Sequence, residues 1–456
     1  MEKLREEKNA IGLMMMMMGL AYLAVLPMAR TIALRNLLLG LLLIFTVINV
    51  VRDRSWPTMV RYVSWSILAW TVYLLIFPFV STNAWIAWEN VVGQWGKSVL
   101  AMAVGGYLAL RFSSTRLGRL RALAIASFTP LAVYLALFLW KAFDTHSLPL
   151  GYLGIEEHHG YLGYAASQAC ILLAAVAVGD SRRDRLWATT LIVLALICMP
   201  LVRSRGGLVF SVFGAVLVVA AAVFGADGRA RRRLLAFFVL AAGAGLAIFL
   251  LATKTDPRWQ HIGERLSAGW MGNAIEIECK GTAAMEPAII ERFGTGPETD
   301  RTIAQIQDGD GARMVLLRAA SQLTLEHPWG LDGSRQAFQK RLREICPEPT
   351  YTMAHAHNGW LDTALAIGWA GAALYLLVLL YFLRLGWRAL REESNTDQRP
   401  WALILVAGSA FWIVRGLVDS CYRDHMLEMQ GFVLAYAATA LHVLRKPAAP
   451  PATRPS

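Results

Sequence analysis

Charge is what this chain has little of. Only 17% of its 456 residues are Asp, Glu, Lys or Arg, 56% are hydrophobic, and 32 acidic residues stand against 44 basic ones. So little charge excludes a disordered or polar-coated chain and points to a polytopic membrane protein. The apolar and polar alternation of outer-membrane barrel strands is also lacking, because the apolar runs are too long and too many. Only helices satisfy their own backbone in lipid, so the expected fold class is an all-α polytopic membrane protein. No convincing cleavage site follows the first apolar run, Ile11 to Met28 with its Met14 to Met18 tract, which therefore reads as a retained helix. No internal repeat of the whole chain is visible, and low complexity is confined to that tract and the Pro/Ala-rich tail after Lys446.

Apolar runs long enough to cross a bilayer, about 17–25 residues each, are what the chain does have. They predict helices at roughly 10–28, 32–51, 59–79, 94–111, 120–140, 161–179, 186–202, 206–224, 234–252, 357–383, 400–418 and 429–444. About twelve spans put both termini on one side. Arg52 and Arg54, then Arg116, Arg119 and Arg121, then Arg182, Arg183 and Arg185, then Arg229 to Arg233, then Arg384, Arg388 and Arg391 fall in alternate loops. The positive-inside rule makes those loops, both termini and Arg445 cytoplasmic. Much of the formal charge of +12 is thereby a topology signal, and nucleic-acid binding is not needed to explain it. The organisation is residues 1–252 with nine spans, 253–356 as one large outer segment, 357–444 with three spans, and 445–456 as a tail.

Within the outer segment, Pro257, Pro287, Pro297, Pro328 and Pro347 break the chain into short elements. One helix is readable, with Asp310 as N-cap, Arg313 to Glu326 following, and Pro328 ending it. Cysteine is scarce at five residues. Cys170 and Cys198 lie in spans as small apolar residues. Cys279 and Cys346 share the outer segment, where an oxidising compartment would permit a disulfide that spacing alone cannot establish.

Three clusters are not explained by topology. Arg203-Ser-Arg205-Gly-Gly207 joins two spans on the outer side, where short loops avoid positive charge. Snorkelling to headgroups is one reading, and a phosphate held by two guanidinium forks is the favoured one. Gly309-Asp-Gly-Ala-Arg313 forms the second cluster. Its Asp308-Gly-Asp310 spells a D-x-D found in metal-dependent sugar transferases, but Asp beside Gly more often makes a turn, and no metal is expected. The third is His355 and His357, beside Asn358 and before Asp362, an imidazole pair at a membrane face suited to proton transfer. Lys97, near the outer end of the fourth span, is a weaker candidate anion contact. Arg415, Asp419 and Arg423 alternate in sign between the last two spans, which favours an ion-pair network closing the bundle.

His357-Asn358 followed after nine residues by Gly368, and then Gly371, resembles the signature shared by O-antigen ligases and O-antigen polymerases. Ser204-Arg205-Gly206, and Arg313 with Pro328 and Gly330, look like that family's other markers. The resemblance is strong over roughly 200–385 and otherwise limited to hydropathy. It implies a GT-C-like glycosyltransferase in a bacterial inner membrane, with an undecaprenyl-diphosphate-linked glycan as donor and no nucleotide sugar, ATP, metal or other cofactor. In that scheme His357 is the base, Arg205 and Arg313 hold the diphosphate, and Arg203, Lys97, His355 and Asn358 contact substrate. Lipid A-core is the expected acceptor of a ligase, which the basic Arg335, Lys340, Arg341 and Arg343 would suit. A polymerase of the same family is the alternative. A lipid-linked glycan transporter is the alternative from another class, though no paired halves with matching interrupted helices are visible.

Overall fold

The computed structural model describes residues 2–54, 64–111, 116–151, 153–154, 159–179, 181–224, 228–255, 259, 262–307, 309–349, 355–392 and 397–445. Asp308, Pro257, Met353, Ala354 and the tail from Lys446 onward lie outside these residues.

Among the described residues the regular structure is helical. Its first half comprises α1 (Glu2–Val25), α2 (Ile32–Arg52), α3 (Trp65–Val80), α4 (Ala84–Asn90), a π-turn segment (Val91–Gly96), α5 (Lys97–Arg111), α6 (Arg116–Thr145), α7 (His159–Ala177), α8 (Arg182–Leu201), α9 (Arg205–Phe224) and α10 (Gly228–Thr255). The segment between α10 and the last bundle helices carries α11 (Ile262–Ala268), α12 (Ala274–Lys280), α13 (Glu286–Phe293), α14 (Pro297–Gln307), α15 (Gly309–Glu326) and α16 (Ala337–Ile345). The chain closes with α17 (Gly359–Arg391), α18 (Arg399–Gly416) and α19 (Asp424–Arg445). Among the described residues a helix overlaps each of the twelve expected apolar segments. By length and composition, seven helices among the described residues are long and apolar enough to cross a membrane: Ile32–Arg52, Gly118–Thr145, Gly160–Ala177, Arg182–Leu201, Arg205–Phe224, Gly359–Arg391 and His425–Leu444.

Small residues let the bundle close, as is general where lipid gives helices no hydrophobic reason to associate. A Cβ added at Gly105 of α5 would sit 2.3 Å from the Phe432 carbonyl oxygen of α19, so those two backbones touch. In the segment between α10 and α17 the α15 residues Leu316, Ala320 and Leu323 are buried and Leu317 is half-buried. Asp310 lies inside the first turn of that helix, which begins at Gly309, so it is not the N-cap. Cys279 and Cys346 are joined in a disulfide with Cα atoms 5.7 Å apart, which ties α12 to the end of α16. Cys170 and Cys198 are buried in their helices with free thiols.

The bundle is interrupted where the sequence carries Gly368. Helical dihedrals fail at Ile367 and Gly368, the latter at φ +79°, so α17 is two helices joined at a kink. Carbonyls freed inside a helix bundle need donors, and the loop after α15 together with Tyr73 of α3 supplies them. Leu331 N–H donates to Leu365 O at 2.9 Å, Gly333 N–H to Ala366 O at 2.9 Å, and Tyr73 Oη to Ile367 O at 2.5 Å. In return Trp369 N–H donates to Pro328 O at 3.0 Å. The glycine serves this loop, where a Cβ would lie 2.7 Å from the Trp329 carbonyl carbon. Gly371 does face a helix, since its Cβ would meet Tyr73 of α3 at 2.8 Å.

Candidate functional site

The two arginine motifs and the histidine motif converge on one cavity of about 250 Å³, at the end of the bundle where α9 and α17 begin. Among the described residues five arginines line it, Arg203, Arg205, Arg313, Arg415 and Arg423, with His355 and His357, and one carboxylate, Asp419. Such a surplus of guanidinium charge suits a polyanion.

Each motif residue has a local reason for its place. Ser204 ends the turn after α8, and its Oγ accepts from Gly207 N–H at 3.2 Å, capping α9. That leaves Arg205 at the first position of the helix, with Arg203 exposed before it at φ +58°. Gly207 lets α9 lie on α7, because a Cβ there would be 2.8 Å from Gly163 Cα. Arg205 reaches α15, where Nη1 and Nη2 donate to the two oxygens of Asp310 at 3.0 and 3.1 Å. Trp259 covers the guanidinium at 5.8 Å. Arg313 Nη1 lies 3.9 Å from the same Asp310, with 46% of its side chain exposed. Asp310 was expected to serve a turn; it instead organises both candidate clamp arginines. Among the described residues no group of three or more His, Cys, Asp or Glu side chains could hold a metal ion.

His357 sits in a pinned turn in the left-handed region, φ +53°. A non-glycine residue there is uncommon, although His is among the types enriched in it, and the surroundings hold it in place. Ala356 N–H donates to Asp362 Oδ1 at 2.9 Å, Gly359 N–H to Asp419 O at 2.9 Å, and Ser420 Oγ–H to the other Asp362 oxygen. Asn358 caps α17, accepting from Leu361 N–H at 2.9 Å, while its Nδ2 donates to Leu417 O at 2.8 Å. Thus Asn358, expected to contact substrate, is committed to holding the turn and does not line the cavity. Lys97 is also outside the lining and donates to Asn36 Oδ1 at 3.0 Å. The His355 and His357 rings lie 4.5 Å apart.

Behind the histidines is the ion pair that the alternating signs foretold. Arg415 is 2% exposed, and its Nη2 donates to Asp419 Oδ2 at 2.6 Å. Its Nη1 donates to Gly206 O at 2.8 Å, beside Arg205. Tyr164 and Phe210 take the guanidinium on their faces at 4.8 and 4.3 Å. Nδ1 of His357 stands 3.9 Å from Asp419 Oδ1. Burial opposes the Asp419 charge, but Arg415 beside it holds the carboxyl well below the usual carboxylate range. The sequence reading found Arg415 and Asp419 but not Tyr164 or Phe210, which are apolar-run aromatics until α7 and α9 bring them together.

The fold and site define an all-helical polytopic membrane protein with an arginine-walled, histidine-bearing cavity at one face of the bundle. Residues 190–376 match the family described as O-antigen ligase. Over that segment, less than half of the chain, the sequence is similar to the O-antigen ligase family. A search of curated proteins returns no match.

Proposed function

We propose that this cavity transfers a glycan from undecaprenyl diphosphate to a hydroxyl of lipid A-core at the periplasmic face of the inner membrane. The observation that carries the reading is five arginines and a turn-locked histidine around one cavity, inside a segment matched to the O-antigen ligase family. His357 takes the proton of the acceptor hydroxyl. The acceptor oxygen forms a bond to the anomeric carbon as the bond from that carbon to the diphosphate oxygen breaks, and the electron pair leaves on the diphosphate. Direct attack from the opposite face inverts the centre. Charge developing on the leaving oxygens is met by Arg205 and Arg313, with Arg203, Arg415 and Arg423 adding to the field. A diphosphate is already a good leaving group, so base and cations suffice and no metal is invoked. Asp419 faces the Nδ1 side of the base, leaving Nε2 for the acceptor proton.

The ligase reading rests on the family description. The basic outer helix supports it less than its sequence suggested, because Lys340 pairs with Asp332 at 2.7 Å and Arg341 with Glu344 at 2.8 Å. The test is purified protein in liposomes with lipid-linked glycan, with and without lipid A-core, with and without EDTA. Glycan joined to lipid A-core at a chelator-independent rate is the expected product. Donor chains lengthened on undecaprenyl diphosphate would establish a polymerase, and intact donor moved across the bilayer without bond cleavage would establish a transporter.

A further inference from the structure

A second cavity, again about 250 Å³, lies between α3, α5, α17 and α19. It is in the half of the bundle away from the candidate site. Its α5 residues run from Val99 to Leu110, and all but Val99 lie beyond the first turn of that helix, whose start adjoins the π-turn segment where Trp95 Nε1 donates to Gly333 O at 3.2 Å. Its α19 residues, Ala435, Ala438 and Thr439, lie well past the site end of that helix as well. The walls are apolar except for three hydroxyls, from Thr71, Tyr107 and Thr439. Thr71 Oγ1 already donates to Ile67 O at 2.8 Å. Leu68 and Ala103 at the wall are exposed on the bundle exterior.

The cavity has a polar exit at one place. Tyr107 Oη accepts from Arg111 Nε at 3.0 Å at the last residue of α5. Arg111 pairs with Asp53 after α2, and Arg52 Nε is 3.9 Å from the same aspartate. Two guanidinium groups thus share one carboxylate, and 35% and 44% of the Arg111 and Arg52 side chains are exposed. A hydrocarbon slot inside the bundle below a cationic rim is complementary to one kind of bilayer component.

We propose that this cavity and its arginine rim bind one anionic phospholipid from the leaflet opposite the candidate active site, with an acyl chain between α3 and α5 and the phosphate against Arg111 and Arg52. This is independent of the transfer reaction proposed above. The test is native mass spectrometry of the full-length protein from nanodiscs containing equal phosphatidylglycerol and phosphatidylethanolamine. Wild type retains phosphatidylglycerol over phosphatidylethanolamine by about fivefold or more, the ratio for a single interfacial arginine contact. Arg111→Gln and Arg52→Gln each reduce that preference. Ala103→Trp and, at the exposed mouth, Leu68→Trp reduce retention of either lipid, and either variant suffices if the other fails to fold. Equal retention of the two lipids by wild type, or unchanged phosphatidylglycerol retention in a folded filling variant, overturns the proposal.

Discussion

Replacing Arg415 tests whether the site is built as one unit. The Arg415→Met side chain fills similar space but removes the ion pair to Asp419 at 2.6 Å, the bond to Gly206 O at 2.8 Å, and the cation sandwiched by Tyr164 and Phe210. Breaking a buried pair from one side costs about 3–5 kcal/mol, because the remaining charge is uncompensated. Asp419 keeps 23% side-chain exposure and His357 nearby, so the lower end, about 3 kcal/mol, is expected. Arg415→Lys restores charge but cannot span Gly206 and Asp419 with a planar fork or stack between two rings. Stability should recover in part, while transfer stays low because Arg205, next to Gly206, loses its anchor. Asp419 is held below the usual carboxylate range, so its stabilisation is fully present above that range and is lost only as pH falls through the depressed folded value. The comparison is therefore best made near neutrality. Thermal melts in detergent and turnover with lipid-linked glycan would be measured for Arg415→Met, Arg415→Lys, Asp419→Asn and the double variant Arg415→Met/Asp419→Asn. Coupling of about 1–3 kcal/mol is expected in the cycle. Additive single effects, or an Arg415→Lys protein with wild-type turnover, would refute the reasoning.

His357→Gln should lower turnover by about 10²–10⁴-fold, as loss of a general base does, and His355→Ala should be milder; wild-type rates from the His357 variant in liposomes would remove the base role. Asp310→Asn should reduce transfer about tenfold or more by releasing Arg205, since a charge-assisted bond contributes about 1.5–3 kcal/mol, and an unchanged rate would return Asp310 to a turn role. Glu278 is 1% exposed, its Oε2 has no hydrogen-bond partner among the described residues, and burial pushes its carboxyl up to about 8. Because the folded state then holds a proton the unfolded chain releases, stability should fall as pH rises from the ordinary glutamate value toward 8, by at most about 1.4 kcal/mol per unit; Glu278→Gln should flatten that slope in melts at several pH values, and a wild type with no slope relative to the variant would contradict it. Gly368→Ala should impair transfer although no site side chain changes, because a Cβ at φ +79° would press on Trp329; full activity would show that the kink tolerates a side chain.

Much of this was legible in the chain because the solvent imposes it. A run such as Arg205–Phe224 can satisfy its backbone in lipid only as a helix, so segment positions could be read from hydropathy alone. His357, Arg203 and Arg205 were legible because charge or imidazole at an apolar boundary has few inexpensive explanations, whereas Arg313 stood out only through the family resemblance. What was not legible depends on pairing across the bundle. Asp310 looks like a turn residue until α9 brings Arg205 to it, and Lys97 looks like an anion contact until α2 offers Asn36. Asn358 is informative by motif, yet its amide oxygen accepts from Leu361 N–H and its amide nitrogen donates to Leu417 O, so it serves the helix cap. The Cys279 to Cys346 bridge depended on a Cα separation that spacing does not give.

The kink in α17 connects these observations. Asn358 caps the helix and the break falls ten residues later, about 15 Å along the axis at the usual rise. There the loop that follows α15 is bound by backbone hydrogen bonds to Leu365 and Ala366, and Trp369 Nε1 reaches Thr324 O near the end of α15 at 3.2 Å. α15 is the helix that begins with Asp310 and Arg313. The helix that starts beside the histidine therefore also carries the dock that fixes the helix of the arginine, one at its mouth and the other at its break. Arg205 is then registered to both, through Asp310 on α15 and through Gly206 and Arg415 to Asp419, whose own carbonyl accepts from Gly359 at the start of α17. Spacing between the histidine and the glycine thus has a mechanical meaning: a shift at Gly368 would displace the arginines from the histidine without touching either.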